Sequence, residues 1–256
     1  MAVDPALSAL DATIEEGLPW PRPLCPTCRQ GHIRFATPVL EPSNKKEMKE
    51  PYFETEWIRG TFSASGECEN PECGQSAQAI GDYRVDWAKK SGSLDPFEEG
   101  PPYRAFYNVA YVHPPLLLMP LPESAPEEVR DGVLRASRVL FSDPGLAATG
   151  LRAAVERFLT KAAISATRPN GGFRSAHERI TEWGNADPKR ASTVDLLFAV
   201  KWLGNAGTHE DSDLTLSEVL DGASLLDEAF HRIYTGPDLD AKALGINTAK
   251  GPNRAP

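Results

Sequence analysis

With 256 residues, 27 Lys and Arg against 36 Asp and Glu, and 41% hydrophobic content, the chain can bury one large core or two small ones. A net charge of −9 argues against a protein that coats nucleic acid, since that affinity comes from Lys and Arg neutralising phosphates; a local basic patch stays open. No apolar run reaches the ~18 residues of a membrane span, and Met1 to Trp20 is acidic and broken by Pro5 and Gly17, so neither a span nor a secretory signal is expected and the chain reads as cytoplasmic.

Residues 1–24 read as an N-terminal extension. The four cysteines follow as two pairs, Cys25-Pro-Thr-Cys28 and Cys68-Glu-Asn-Pro-Glu-Cys73. In a cytosolic chain such pairs point to a metal rather than to disulfides. Each short loop aims two sulfurs at one point, and two such knuckles close a tetrahedron around Zn²⁺. Pro26 and Pro71 stiffen the loops, and Gly74 permits a left-handed exit from the second. The spacing therefore predicts one structural zinc per chain on Cys25, Cys28, Cys68 and Cys73, with no open position for chemistry. The other readings are two pairs of reduced surface thiols, a reactive thiol activated by His32, or His32 as a substitute ligand.

Between the knuckles and beyond them, Ile33–Leu40, Tyr52–Ser65, Ala77–Trp87 and Tyr103–Val112 are rich in aromatic and β-branched residues and read as strands. The charged run 44–50 and the stretch 89–102 read as loops. Residues 25–113 thus form a small antiparallel zinc-stapled β domain. Trp57, Trp87, Phe106 and Tyr107 are expected in core or sheet-face packing, with a base-stacking platform as the alternative.

Five prolines between Pro114 and Pro126 make an extended connector around Leu116–Met119. Ser124-Ala-Pro-Glu127 reads as a capping box, followed by Val129, Val133, Ala136 and Leu140 at helical spacing. Asp143-Pro144 opens a second helix with Ala147, Leu151, Ala154, Phe158 and Ala162 on one face. A third carries Ala176, Ile180 and Trp183; a fourth turns Leu196, Val200 and Leu203 inward. Thr215-Leu-Ser-Glu218 caps the last, which runs through Leu216, Val219, Ala223, Leu226, Phe230 and Ile233. Residues 114–235 are thus a helical bundle, 236–256 a flexible tail, and the fold class is α+β.

The stretch Lys201-Trp-Leu-Gly-Asn-Ala-Gly-Thr-His209 has two readings. The helix stops at Gly204-Asn205, leaving His209 in a loop, or it continues and puts Asn205 and His209 one turn apart on one face. Arg152 and Glu156 are spaced i, i+4, and if buried they need each other or a polar partner, for which Asn205 and His209 are the candidates. His113, His177 and His231 have no second ligand nearby in sequence.

The order of a cysteine-pair β module, a proline-rich connector, five helices and a late Gly-Asn-x-x-x-His resembles family 4145 of the bacterial domains of unknown function, over roughly residues 116–235. Ala147-Ala-Thr-Gly-Leu-Arg152-Ala-Ala-Val-Glu156 matches that family's Arg-x-x-x-Glu pattern. The family in turn resembles the HEPN bundles, whose ribonucleases use Arg-(Asn/His/Asp)-x-x-x-His across a dimer groove. Here Asn205 and His209 match while Gly204 stands where the arginine belongs, so the phosphate clamp is missing unless Arg152 or Lys201 supplies it. The resemblance implies a non-enzymatic module, accessory to a bacterial anti-phage or restriction-type defence system, that binds a protein or nucleic-acid partner or pairs with itself through the helical half. The small residues Gly204, Ala206 and Gly207 offer a close approach for a second copy. The alternative is a metal-independent HEPN-type ribonuclease or nucleotide-acting enzyme using His209.

Overall fold

A computed structural model describes residues 3–87, 103–208, 214–236, 243, 247 and 248, and divides into a front unit, Asp4–Leu116, and a helical unit that begins at Leu117. In the front unit a short helix α1 (Pro5–Asp11) is followed by β1 (Ile14–Glu15), β2 (Ile33–Phe35), β3 (Val39–Pro42), β4 (Arg59–Cys68), β5 (Ser76–Trp87) and β6 (Tyr103–His113). Polar and small or aromatic residues alternate along β4 and β5, so one face of the sheet is buried and the other is open. The strands pair antiparallel in the order β1-β6-β5-β4-β2, with β3 also on β4. The inner face is lined by Phe62, Ala64, Ala77, Ala79, Tyr83 and Tyr107. Trp20 packs against it with its ring 5.6 Å from Phe35, 5.7 Å from Phe62 and 5.8 Å from Tyr107.

Residues 4–24, expected as an extension, belong to this unit. Asp4 caps α1 through the Ala6 amide and accepts the Leu24 amide, Leu7 and Leu10 are buried, and β1 pairs with β6. Two expected strands are cut differently. The run 33–40 breaks into β2 and β3 around Pro38, and residues 52–58 form turns and a 3₁₀ turn at Thr55–Trp57, so β4 starts at Arg59. Trp57 and Trp87 lie exposed rather than in the core, Phe106 is half-buried, and Tyr107 alone of the four is sealed inside.

The helical unit holds α2 (Glu127–Val139), α3 (Pro144–Lys161), α4 (Ala176–Asn185), α5 (Ala191–Ala206) and α6 (Leu216–Tyr234). α3 packs against each of the others, which explains why nearly its whole circumference is small or apolar. Phe158 on α3 anchors an aromatic cluster with Trp183 at 5.3 Å and Phe230 at 5.9 Å. Capping boxes start α4 at Ser175 and α6 at Thr215. The box expected at Ser124 does not form: Pro126 takes the cap position without a side-chain bond, and Arg130 instead gathers the carbonyls of Pro122, Glu123 and Ala125. The α5 face is also turned by one residue. Thr193, Leu197, Val200, Lys201 and Gly204 are buried, while the expected Leu196 and Leu203 are partly exposed. Most of the expected tail, 236–256, lies outside the described residues.

Candidate functional site

The first candidate is the four-cysteine centre of the front unit. Cys25 leaves a tight loop whose ends are tied by its amide to the Gly31 carbonyl at 2.8 Å. Arg29, directly after Cys28, takes a left-handed φ of 55°, and Gly74, directly after Cys73, takes 58°, so both knuckles exit with the same hand. Cys68 ends β4, which sets its position by sheet register, with β2 placing Ile33 opposite it. The loops are joined by a bond of 2.7 Å from Thr27 Oγ1 to Gln75 Oε1. Gly31 is fixed by space: a Cβ there would stand 2.7 Å from Cys68 Sγ.

Four sulfurs held ~2.3 Å from one tetrahedral ion lie ~3.8 Å apart. Two cross-knuckle pairs are close, Cys28 to Cys68 at 3.6 Å and Cys25 to Cys73 at 3.8 Å, and all four sulfurs fall within 4.8 Å of one another. This spacing is far beyond the ~2.0 Å of a disulfide and fits a single ion. Backbone amides point at the sulfurs, as a thiolate requires. Gly31 N donates to Cys28 Sγ at 3.4 Å, and the Gly31 and Gln30 amides pull the Cys28 thiol down to about 6. Burial pushes Cys68 up to about 12. For Cys73 the Gln75 amide pulls down, but burial and the neighbouring sulfurs of Cys28 and Cys25 outweigh it and the thiol is raised. A cation would remove that mutual repulsion. His32 sits in a bridge with Leu24 and is exposed, and the sulfur cluster is complete without it.

The second candidate lies in the helical unit, on the seam between α3 and α5. Here α5 continues through Gly204-Asn205 to Ala206, so the stretch is helical. Arg152 donates through Nε to Glu156 Oε1 at 3.0 Å and through Nη1 to Asn205 Oδ1 at 2.7 Å, joining three of the residues singled out in the sequence. The fourth, His209, lies outside the described residues. Gly204 faces the same arginine: a Cβ there would overlap Arg152 Cβ and stand 3.0 Å from the Ala148 carbonyl. Gly207 meets the backbone of Gly145 just as closely. The close neighbour that Gly204 and Gly207 accept is therefore α3 of the same chain.

Two further cations of this unit are buried: Lys201, named above as one that could supply the missing clamp, and Arg179, which the sequence did not single out. Lys201, one turn before Asn205 on α5, is only 7% exposed. Its ammonium sits 3.1 Å from the Trp202 ring centroid, and burial, with the Arg152 charge beside it, holds its pKa below the usual lysine value. Among the described residues no carboxylate pairs with it. Arg179, 3% exposed, caps the far end of α3 by donating to the Glu156 and Ile164 carbonyls and to Thr160 Oγ1 at 3.1, 2.9 and 2.7 Å. Only the i, i+4 spacing of Arg179 from Ser175 and Trp183 marked it, and that does not separate a buried arginine from a surface one.

The remaining histidines are apart from both places. His113 ends β6, His177 stacks on Phe198 and His231 bonds Thr235. Among the described residues no helix is long and apolar enough to cross a membrane. Residues 134–249 match the family model described as Domain of unknown function (DUF4145), and residues 16–108, with all four cysteines, match the one described as Domain of unknown function (DUF8608). No curated protein and no solved structure matches the chain.

Proposed function

Since the helical half of the chain belongs to the family described as Domain of unknown function (DUF4145), we propose that the protein is a non-enzymatic, zinc-stapled module that recognises a macromolecular partner. The observation that carries this reading is the closure of the front site. Four sulfurs lie within 4.8 Å of one another, enough to fill a tetrahedral zinc shell with no place left for water or substrate, which is the donor set of a structural ion. An all-sulfur site suits Zn²⁺, and the ion contributes folding energy rather than chemistry. In the helical half, Gly204 stands where a HEPN nuclease holds its arginine and has no room for a side chain, and the Arg152 guanidinium beside it is engaged with Glu156 and Asn205. An accessory place in a bacterial defence system, and pairing of two copies through the helical half, belong to the same proposal and rest on the family resemblance.

A second reading keeps one specific support. Arg152 does reach Asn205, the residue one helical turn before His209, so a guanidinium is present beside the nuclease-like pair. The two readings part in one experiment. The protein is purified from its native cells under gentle conditions for mass spectrometry of what stays bound, and the same preparation is incubated with a panel of RNAs and nucleotides beside His209→Ala and Arg152→Ala. The module reading expects a reproducible stoichiometric partner and no turnover. Robust cleavage by the wild type, abolished by both substitutions in folded protein, would replace it with the enzyme.

A further inference from the structure

β5 begins beside Cys68 and ends, at the opposite edge of the front unit, in an aromatic and acidic corner. Trp87 closes β5 opposite Tyr103, the first residue of β6, and their rings stand 4.5 Å apart. Tyr83, Val85 and Trp87 alternate onto the inner face of the sheet, so this ring pair continues the buried face to a point where it opens to solvent: Tyr83 is sealed and Trp87 is 57% exposed. The turns at 52–57 stand beside it, tied to β5 where the Val85 amide donates to the Ile58 carbonyl at 2.9 Å. They add exposed Tyr52 and Trp57, the latter edge-on to Phe53 at 5.8 Å. Glu54 and Glu56 lie on the same turns. Burial raises the Tyr103 phenol above its ordinary value, and Glu56, bonded to its hydroxyl, and Glu54 raise it further, which puts both carboxylates next to the ring pair. Among the described residues neither carboxylate has a cation. The neighbouring ones go elsewhere: Arg59 to Glu47, Arg84 to Asp86 and the Phe106 ring, Lys45 to Glu41.

We propose that this corner seats a basic peptide segment of the partner, with a lysine or arginine side chain over the Trp87 and Tyr103 rings and within reach of Glu54 and Glu56. The face of an aromatic ring is electron-rich, so a cation placed over it and beside a carboxylate gains from both. An anion is repelled by the same groups, and a neutral apolar group leaves the carboxylates unpaired. The net charge of −9 selects the same sign of partner at longer range. The inference rests on the partner reading above and names the chemistry of that partner; the metal centre, at the other end of β5, takes no part in it.

The test is a fluorescence-polarisation titration of the full-length metal-loaded chain against a labelled octapeptide of alternating glycine and lysine, beside its arginine and glutamate counterparts, at low and at physiological salt. Trp87→Leu keeps an apolar contact for Tyr103 and removes the ring, Trp87→Phe restores a ring, and Glu54→Gln with Glu56→Gln removes the charges. None of these positions is buried, so the variants fold as the wild type does. The expected result is saturable binding of the lysine and arginine peptides and none of the glutamate peptide. Trp87→Leu and the double glutamine variant each weaken it at least about threefold, and Trp87→Phe retains it. Binding that fades with salt and ignores Trp87→Leu is attraction to the acidic surface at large and would overturn the proposal, as would no saturable binding up to about 1 mM. A partner recovered from native cells while the basic peptides fail to bind defeats this site and leaves the module reading; peptides that bind through Trp87 where no partner is recovered do the reverse.

Discussion

Gly204 shows how a single residue decides what the α3–α5 seam is for. Glycine in a helix interior gives up ~1 kcal/mol to alanine, so its place here needs a reason, and Arg152 is that reason. An alanine Cβ would push against Arg152 Cβ and the Ala148 carbonyl, and the arginine could not give way without loosening its bonds to Asn205 and Glu156. We expect Gly204→Ala to destabilise the chain by ~1–3 kcal/mol net of the propensity gain, read from chemical denaturation, while Gly236→Ala, with open space around it, stays within about 0.5 kcal/mol. A Gly204→Ala variant as stable as the wild type would mean that the two helices do not approach this closely. The sequence alone left two readings of this stretch, because Gly-Asn is as good a helix stop as a helix interior. Only the opposing helix distinguishes them.

At the scale of elements, the helix starts test the local chemistry. Glu218 accepts the Thr215 amide at 2.8 Å and its hydroxyl at 2.9 Å, and the Thr215 backbone bond, with the side-chain bond added, holds its carboxyl below the usual 4.5. A carboxylate depressed in the folded state stabilises above its unfolded pKa and loses that contribution as pH falls through the folded value. The stability difference between wild type and Glu218→Gln should therefore be present at neutral pH and vanish as pH falls below 4.5 and through the lower folded value. A difference that persists unchanged into acid would contradict the capping box. Thr215→Ala should cost ~1 kcal/mol. The box at Thr215 was legible because Thr and Glu stand three residues apart before a clean apolar stripe. The one read at Ser124 failed because the Pro126 ring takes the cap position and Arg130 holds the preceding carbonyls. Periodicity likewise placed all five main helices, but not the inward face of α5. That face is set by where α3 comes closest, so the buried Lys201 could not be read from spacing.

For the molecule as a whole, the two units have separate cores and separate means of stability. The front unit relies on a sheet with small inner residues, Ala64, Ala77 and Ala79 among them, and on the sulfur centre that ties β4 to two loops. The helical unit has a dense apolar core around α3. Chelation should therefore loosen the front unit and spare the other: amide exchange is expected to rise across Cys25–Cys28, β2 and Cys68–Cys73 while α3, α5 and α6 keep their protection. Equal loss in both units would show that they do not unfold separately. The cysteine cluster was the most legible part of the chain, since pair spacing alone brings the sulfurs together. The part played by residues 4–24 was not, because β1 is two residues long and its pairing with β6 crosses most of the unit.

The central claim is that these four thiolates hold one zinc ion and nothing else. The most direct measurement is zinc K-edge X-ray absorption on protein purified without added metal, with the zinc content of the same sample determined by elemental analysis. The account predicts close to one zinc per chain with a single shell of four sulfurs at ~2.3 Å. A shell containing nitrogen or oxygen, or protein that folds normally with substoichiometric metal, would contradict it.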